Sequence, residues 1–289
     1  MLRLICAACL LLSTLPAWAQ NVSAQDDRGE TVSLLQPARR IISLAPHATE
    51  LAFAAGAGGF IVGVTAFSDY PAVAKRIQPL GDSGKVDIER LLALKPDLVL
   101  AWQSGNHSGD LAQLERLGVR LFVTEPRHLQ DIPRLLRAIG QLAGTDTEAA
   151  RAAAGFEQRM SGLKNKFAAR RQVSVFYQIW DAPLMTVNGE HLINDVIELC
   201  GGRNIFAGLT NLTPVVSMES VVSRDPEVIF ASGGLYRNEQ VWKNWRRFSS
   251  MRAVRKERMY FIHPDLIQRQ TPRVLEGAER LCEQLDHAR

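Results

Sequence analysis

The chain has 289 residues with 34 Lys and Arg against 30 Asp and Glu, a formal net charge of +4. A balance this even excludes a dedicated nucleic-acid binder. The densest basic stretch, KNWRRFSSMRAVRKERMYFI from Lys243, interleaves its charges with apolar residues and reads as a solvated helix face leading into a strand.

Residues 1–19, MLRLICAACLLLSTLPAWA, carry one charge at Arg3, an apolar run, and the small-residue pattern Ala17-Trp18-Ala19. This is the pattern of a secretory signal cut before Gln20, because the apolar run is too short for a membrane span and Pro16 interrupts it. The expected product is a soluble exported chain, located in the periplasm. Cys6 and Cys9 leave with the signal, so Cys200 and Cys282 remain. An even pair in an oxidising compartment suggests one disulfide; two buried free thiols are the alternative.

The stretch NVSAQDDRGETVSLLQPARR places the turn residues DDRG between two short alternating runs, the pattern of a small β-hairpin. Strand and helix patterns then alternate through RIISLAP, ATELAFAAG, IVGVTAF, DIERLLALKPDLVLAW, HSGDLAQLERLG, RLFVTEP and DIPRLLRAIGQLAG. Such alternation predicts a mostly parallel sheet covered on both faces, here an N-terminal α/β lobe over 20–144. Gly144 closes the last helix, and Thr145 to Glu148 fits a capping box opening another. Phe156, Met160, Leu163 and Phe167 share one face of that helix, which predicts a stiff connector over 145–171. A C-terminal α/β lobe over 172–289 starts at QVSVFYQIW and ends in RMYFIHPDLIQRQ and TPRVLEGAERLCEQL, with Thr271 and Pro272 marking the last helix.

An internal repeat relates the two lobes. DIERLLALKPDLVLAW, from Asp87, returns 130 positions later as SMESVVSRDPEVIFAS, from Ser217. In each copy a capping residue precedes an acid in the first turn (Glu89 or Glu219), an apolar helical stretch, a Pro and a short apolar strand. ATELAFAAGAGGFIVGV is answered in the same order by INDVIELCGGRNIF. The fold class is therefore α/β, two Rossmann-like lobes joined by a single long helix.

Ligands of open parallel α/β sheets collect outside the carboxyl ends of the strands. Those ends carry His47, Phe67 and Trp102 in the first lobe, and Trp180, Met185, Ser232, Asp265 and Arg269 in the second. Two such lobes facing each other make a cleft suited to a bulky, partly apolar ligand bearing amides or acids. Enzyme signatures are absent: the run Gly56 to Gly59 fails the dinucleotide fingerprint, and there is no GxxxxGK[ST], GxSxG or HExxH. No catalytic residue, catalytic cofactor or metal cluster is expected, and the chain is read as a monomeric binding protein. Glu89 and Glu219 also suit the helix macrodipole alone.

The motifs LAPHATELAFAAG, FSDYP, ERLLALKPDLVLAW, LCGGRNIF and the terminal RLC resemble the substrate-binding proteins of ABC importers that have two lobes and one rigid helix. The resemblance covers nearly the whole exported chain and leans towards the cobalamin-binding branch. It implies a carrier that captures cobalamin or a related corrinoid and delivers it to an inner-membrane ABC permease. Haem and ferric siderophores are the alternative ligands within the class. It also implies a Cys200–Cys282 disulfide, Glu89 and Glu219 as lobe-tip residues docking on permease arginines, and Asp265, Arg269 and Trp102 as ligand contacts. Phe67 stands where the family has Tyr, and Ser83, Met185 and Thr213 where it has Trp, Phe and Trp. His47 replaces an Asn and adds a candidate ligand for cobalt or iron.

Overall fold

The computed structural model describes residues 21–82, 84–167, 169–233 and 239–289; the signal segment and Ser83 lie outside them. Among the described residues no helix is long and apolar enough to cross a membrane. Strands β1 (Val22–Gln25) and β2 (Thr31–Leu34) form the expected antiparallel hairpin, with Val22 opposite Leu34. The first lobe continues as β3 (Ile41–Ser43), α1 (Pro46–Ala54), β4 (Ile61–Val64), α2 (Ile88–Ala93), β5 (Leu98–Trp102), α3 (Ser108–Arg116), β6 (Leu121–Thr124) and α4 (Asp131–Ala143). Its four strands are parallel in the order β4-β3-β5-β6.

Helix α5 (Asp146–Phe167) leads into the second lobe: β7 (Val173–Gln178), β8 (Trp180–Asp181), β9 (Leu184–Met185), α6 (Leu192–Leu199), β10 (Gly202–Asn204), α7 (Met218–Arg224), β11 (Val228–Ala231), α8 (Glu239–Arg246), α9 (Arg252–Arg255), β12 (Met259–Phe261) and α10 (Val274–His287). The main sheet is again parallel, in the order β10-β7-β11-β12, so each strand of the first sheet has a counterpart in the second. Strands β5 and β11 both start 11 residues after the capping residue of the repeated unit, at Leu98 and Val228. Those caps form: Asp87 accepts from the Arg90 amide at 2.9 Å and Ser217 from the Ser220 amide at 3.1 Å.

Alternation along each strand feeds two different cores. Ile41, Leu98, Leu100 and Phe122 face α1 and α4, whereas Ile42, Val99, Ala101 and Val123 pack with Leu91 of α2 and Leu111 and Leu114 of α3. In the second lobe Val175, Tyr177, Val228 and Phe230 point inward, while Phe176, Ile229 and Ala231 point towards Trp242 and Trp245 of α8. The inward faces of both sheets belong to one continuous apolar cluster that passes through α5 at Ala149, Ala153, Phe156, Leu163 and Phe167. Met160 packs against the same cluster but stays partly exposed.

Two local expectations are revised. The Thr145 hydroxyl donates to the Ala55 carbonyl at 2.7 Å, joining the start of α5 to the end of α1. Helix α10 begins at Val274 rather than Thr271; Thr271 to Arg273 form a turn in which the Thr271 hydroxyl accepts from the Arg273 amide at 3.3 Å. Cys200 at the end of α6 is bonded to Cys282 of α10, across 82 positions of sequence. Replacing both cysteines by alanine should lower unfolding free energy by about 4 kcal/mol, the loop-entropy value for such a span. Urea unfolding of the oxidised parent and the double variant checks this; equal midpoints would remove the stabilising role.

Candidate functional site

The carboxyl ends of both parallel sheets face each other across a cavity of 420 Å³. The first lobe contributes Trp102, Ser104, Glu125 and Arg127 from the ends of β5 and β6. The second contributes Ile179, His191, Thr213, Gln268 and Gln270 from the loops after β7, β9, β10 and β12. Trp102 ends β5, and its amide donates to the Asn106 side chain at 2.7 Å. A Cβ at Gly105 would stand 1.8 Å from the Trp102 ring, so only glycine lets the loop fold back over the indole.

His47 was expected at the cleft surface; the structure places it in α1, 3% exposed, behind Trp102. Its ring meets the indole edge-on at 5.2 Å, and Nε2 shares a 3.0 Å hydrogen bond with the Thr124 hydroxyl. Burial, reinforced by the charge of Arg269, lowers its pKa to about 4, so the imidazole is neutral at pH 7. In this arrangement His47 supports the cleft wall from within. The second lobe has a matching buried support: Ser232 hydrogen-bonds the Tyr177 hydroxyl and accepts from Gln268 Nε2 at 2.8 Å, which fixes the Gln268 amide at the cavity.

Arg269 and Asp265 come together as expected, with Nη2 to Oδ1 at 3.0 Å. The other terminal nitrogen of Arg269 crosses to the first lobe, reaching Glu50 Oε1 at 2.9 Å and Asp69 Oδ1 at 2.7 Å. Arg273 joins Glu50 at 3.2 Å and lies 4.0 Å over the Tyr70 ring. Burial raises the pKa of the Glu50 carboxyl against the pull of both arginines. For Arg269, burial is outweighed by its hydrogen bonds to Asp69 and Glu50, which hold it above the ordinary guanidinium value.

Thr213 lines the cavity with Trp102. Met185 is half-buried on β9 directly opposite Trp180, which is 43% exposed. Phe67 does not line the cavity; it stands 77% exposed with φ of 65°, two residues before Asp69. Glu89 and Glu219 are exposed second-position residues of their helices, at the first turns of α2 and α7. The Glu219 carboxyl lies below its usual range through its own backbone amide first and the Ser217 hydroxyl second.

Sequence reasoning missed Glu50, Asp69, Glu125, Gln268 and Gln270. For Glu50 a signal was present: it is the one acid of the mostly apolar helix PHATELAFA. An ionisable group on such a helix needs a partner, and the partner comes from the other lobe.

The unfolded chain binds a proton at His47 near pH 6.5, whereas the folded chain does so only near 4. Stability is therefore full above pH 6.5 and falls as pH drops through that window, by about 2 kcal/mol between pH 7 and 5 for this residue. The stability advantage of the parent over His47→Gln should shrink by that amount between pH 7 and 5 in urea unfolding. A gap independent of pH would contradict the assignment.

Residues 41–266 match the family model described as periplasmic binding protein. The chain is 37% identical over 246 residues to the vitamin B12-binding protein of Vibrio cholerae, covering 85% of this chain and 88% of that one. It is 38% identical over 250 residues to the vitamin B12-binding protein of Yersinia pestis, covering 86% and 87%. Among solved structures it is similar to the periplasmic vitamin B12-binding protein BtuF of Vibrio cholerae. That match has a TM-score of 0.80 and 36% identity, and covers 87% of this chain and 98% of the other. With the two-lobed parallel architecture, the cleft at the strand ends and these matches in agreement, the chain belongs to the periplasmic binding protein family.

Proposed function

We propose that this protein is a non-enzymatic periplasmic carrier that captures cobalamin or a related corrinoid and delivers it to an inner-membrane ABC permease. The observation that carries the reading is the interlobe cavity itself. It joins an indole held by Gly105 and His47 to a polar rim of Gln268, Gln270 and Thr213, on a chain more than a third identical to vitamin B12-binding proteins. A flat, amide-fringed macrocycle matches such a surface: the ring covers apolar area and its side chains meet neutral hydrogen-bonding groups. Thr213 in place of an aromatic ring leaves stacking within the cavity to Trp102. Delivery rests on Glu89 and Glu219, two exposed acids at equivalent points of the two lobes, a symmetric two-point footprint for basic residues of a dimeric permease.

Calorimetry with cyanocobalamin, cobinamide and haemin tests the ligand. Both corrinoids should bind, and Trp102→Ala should weaken them at least tenfold, as expected for loss of a stacked ring. Binding of haemin alone would replace this reading with haem carriage. For delivery, Glu89→Arg combined with Glu219→Arg should preserve corrinoid affinity and abolish uptake, because charged rim contacts govern association rather than folding. Normal uptake by the double variant would refute the docking role.

A further inference from the structure

The guanidinium of Arg269 is the central cation of the cleft region, and the structure leaves it no spare terminal nitrogen. Nη1 is held by Glu50 and Asp69 of the first lobe, and Nη2 by Asp265 of its own lobe. The neighbouring Arg273 is itself committed to Glu50 and stacked on Tyr70. Three carboxylates thus enclose two guanidiniums, and the cluster as a whole offers no surplus positive charge. The cluster borders the cavity, since Gln268 and Gln270 on either side of Arg269 line it, and the cavity wall repeats the theme. Glu125 lies 3.8 Å from Arg127 and accepts from the Ser104 amide, while Gln268 and Gln270 are neutral.

A carboxylate-bearing ligand reaching from the cavity to this bordering cluster would meet arginines already paired and the carboxylates of Asp69 and Asp265, which are 43% and 31% exposed. It would lose hydration without gaining a cation, which is unfavourable for an ionised group. A primary amide faces no such penalty. Its N–H groups can donate to the exposed carboxylate oxygens and to the Gln268 carbonyl oxygen, and its own carbonyl can accept from the Gln270 amide.

We propose that Glu50 and Asp69 are specificity-determining residues: by occupying Arg269 they set the cleft to accept corrinoids whose side chains are neutral amides and to reject their carboxylate counterparts. This deepens, and rests on, the corrinoid reading above. Glu50, buried at the base of the cluster, acts as a positioning residue that holds the guanidinium towards the first lobe, and Asp69 supplies the most exposed carboxylate of the three.

The test is calorimetric binding of cyanocobalamin and of its monocarboxylate, in which one side-chain amide has been hydrolysed, to the parent, Asp69→Asn, Glu50→Gln and Asp69→Glu. The parent should prefer the amide form at least tenfold, the scale of one unscreened like-charge contact near a protein surface. Asp69→Asn and Glu50→Gln should each reduce that preference about tenfold, and Asp69→Glu should restore it. A purely structural effect would weaken both ligands alike and leave their ratio unchanged. Because Asp69 is exposed, its variants carry the test even if Glu50→Gln does not fold. Equal binding of the two forms by the parent, or an unchanged ratio in Asp69→Asn, overturns the proposal. Binding of neither corrinoid by the parent overturns the corrinoid reading, and this inference with it.

Discussion

One apolar core runs from the first lobe, through the buried face of α5, into the second, and the rest of the structure depends on that continuity. The inward residues of both parallel sheets belong to it, as do α1, α4, α6 and α10. A helix of 22 residues spans about 33 Å, and here it is packed at both ends. Large rotation of one lobe about such a connector would open a dense interior, so the cleft has a width set chiefly by packing. A carrier of this kind presents two tips at a nearly fixed spacing.

Across the cleft, charge reinforces what the core establishes. Glu50 is buried within α1 and is met by Arg269 and Arg273 from the opposite lobe, so the lobes share an ion cluster as well as a hydrophobic interior. A buried carboxylate of this kind is tolerated only with its partners in place, and separating the lobes would strand it. The same cluster borders the cavity beside Gln268 and Gln270, and its three carboxylates outnumber its two guanidiniums.

The cavity walls show how support and contact are divided. Trp102 meets the cavity, and His47, Thr124 and Gly105 hold it from behind or allow the loop to fold against it. Gln268 meets the cavity, and Ser232 and Tyr177 hold it. His47 and Ser232 both end in the supporting layer. Each is polar because it hydrogen-bonds inside the protein, a role that looks identical in sequence to a ligand-facing one.

The fold was legible because its determinants are local or repeated. Strand–helix alternation, the Asp87 and Ser217 caps, the Gly144 stop and the duplicated unit all act within a few residues, and periodicity reports them directly. The sequence by itself determined two parallel α/β lobes, the stiff helix between them, and Trp102, Asp265 and Arg269 near the strand ends. It could not determine what Arg269 touches, since Glu50 lies 219 positions away and Asp69 lies 200. Only the tertiary structure decided that the arginine is shared between lobes, that His47 is buried, and that Gln268 and Glu125 line the cavity. Contacts of that kind arise when separate lobes are packed face to face, and hydrophobic periodicity carries no record of which polar side chains meet across the gap.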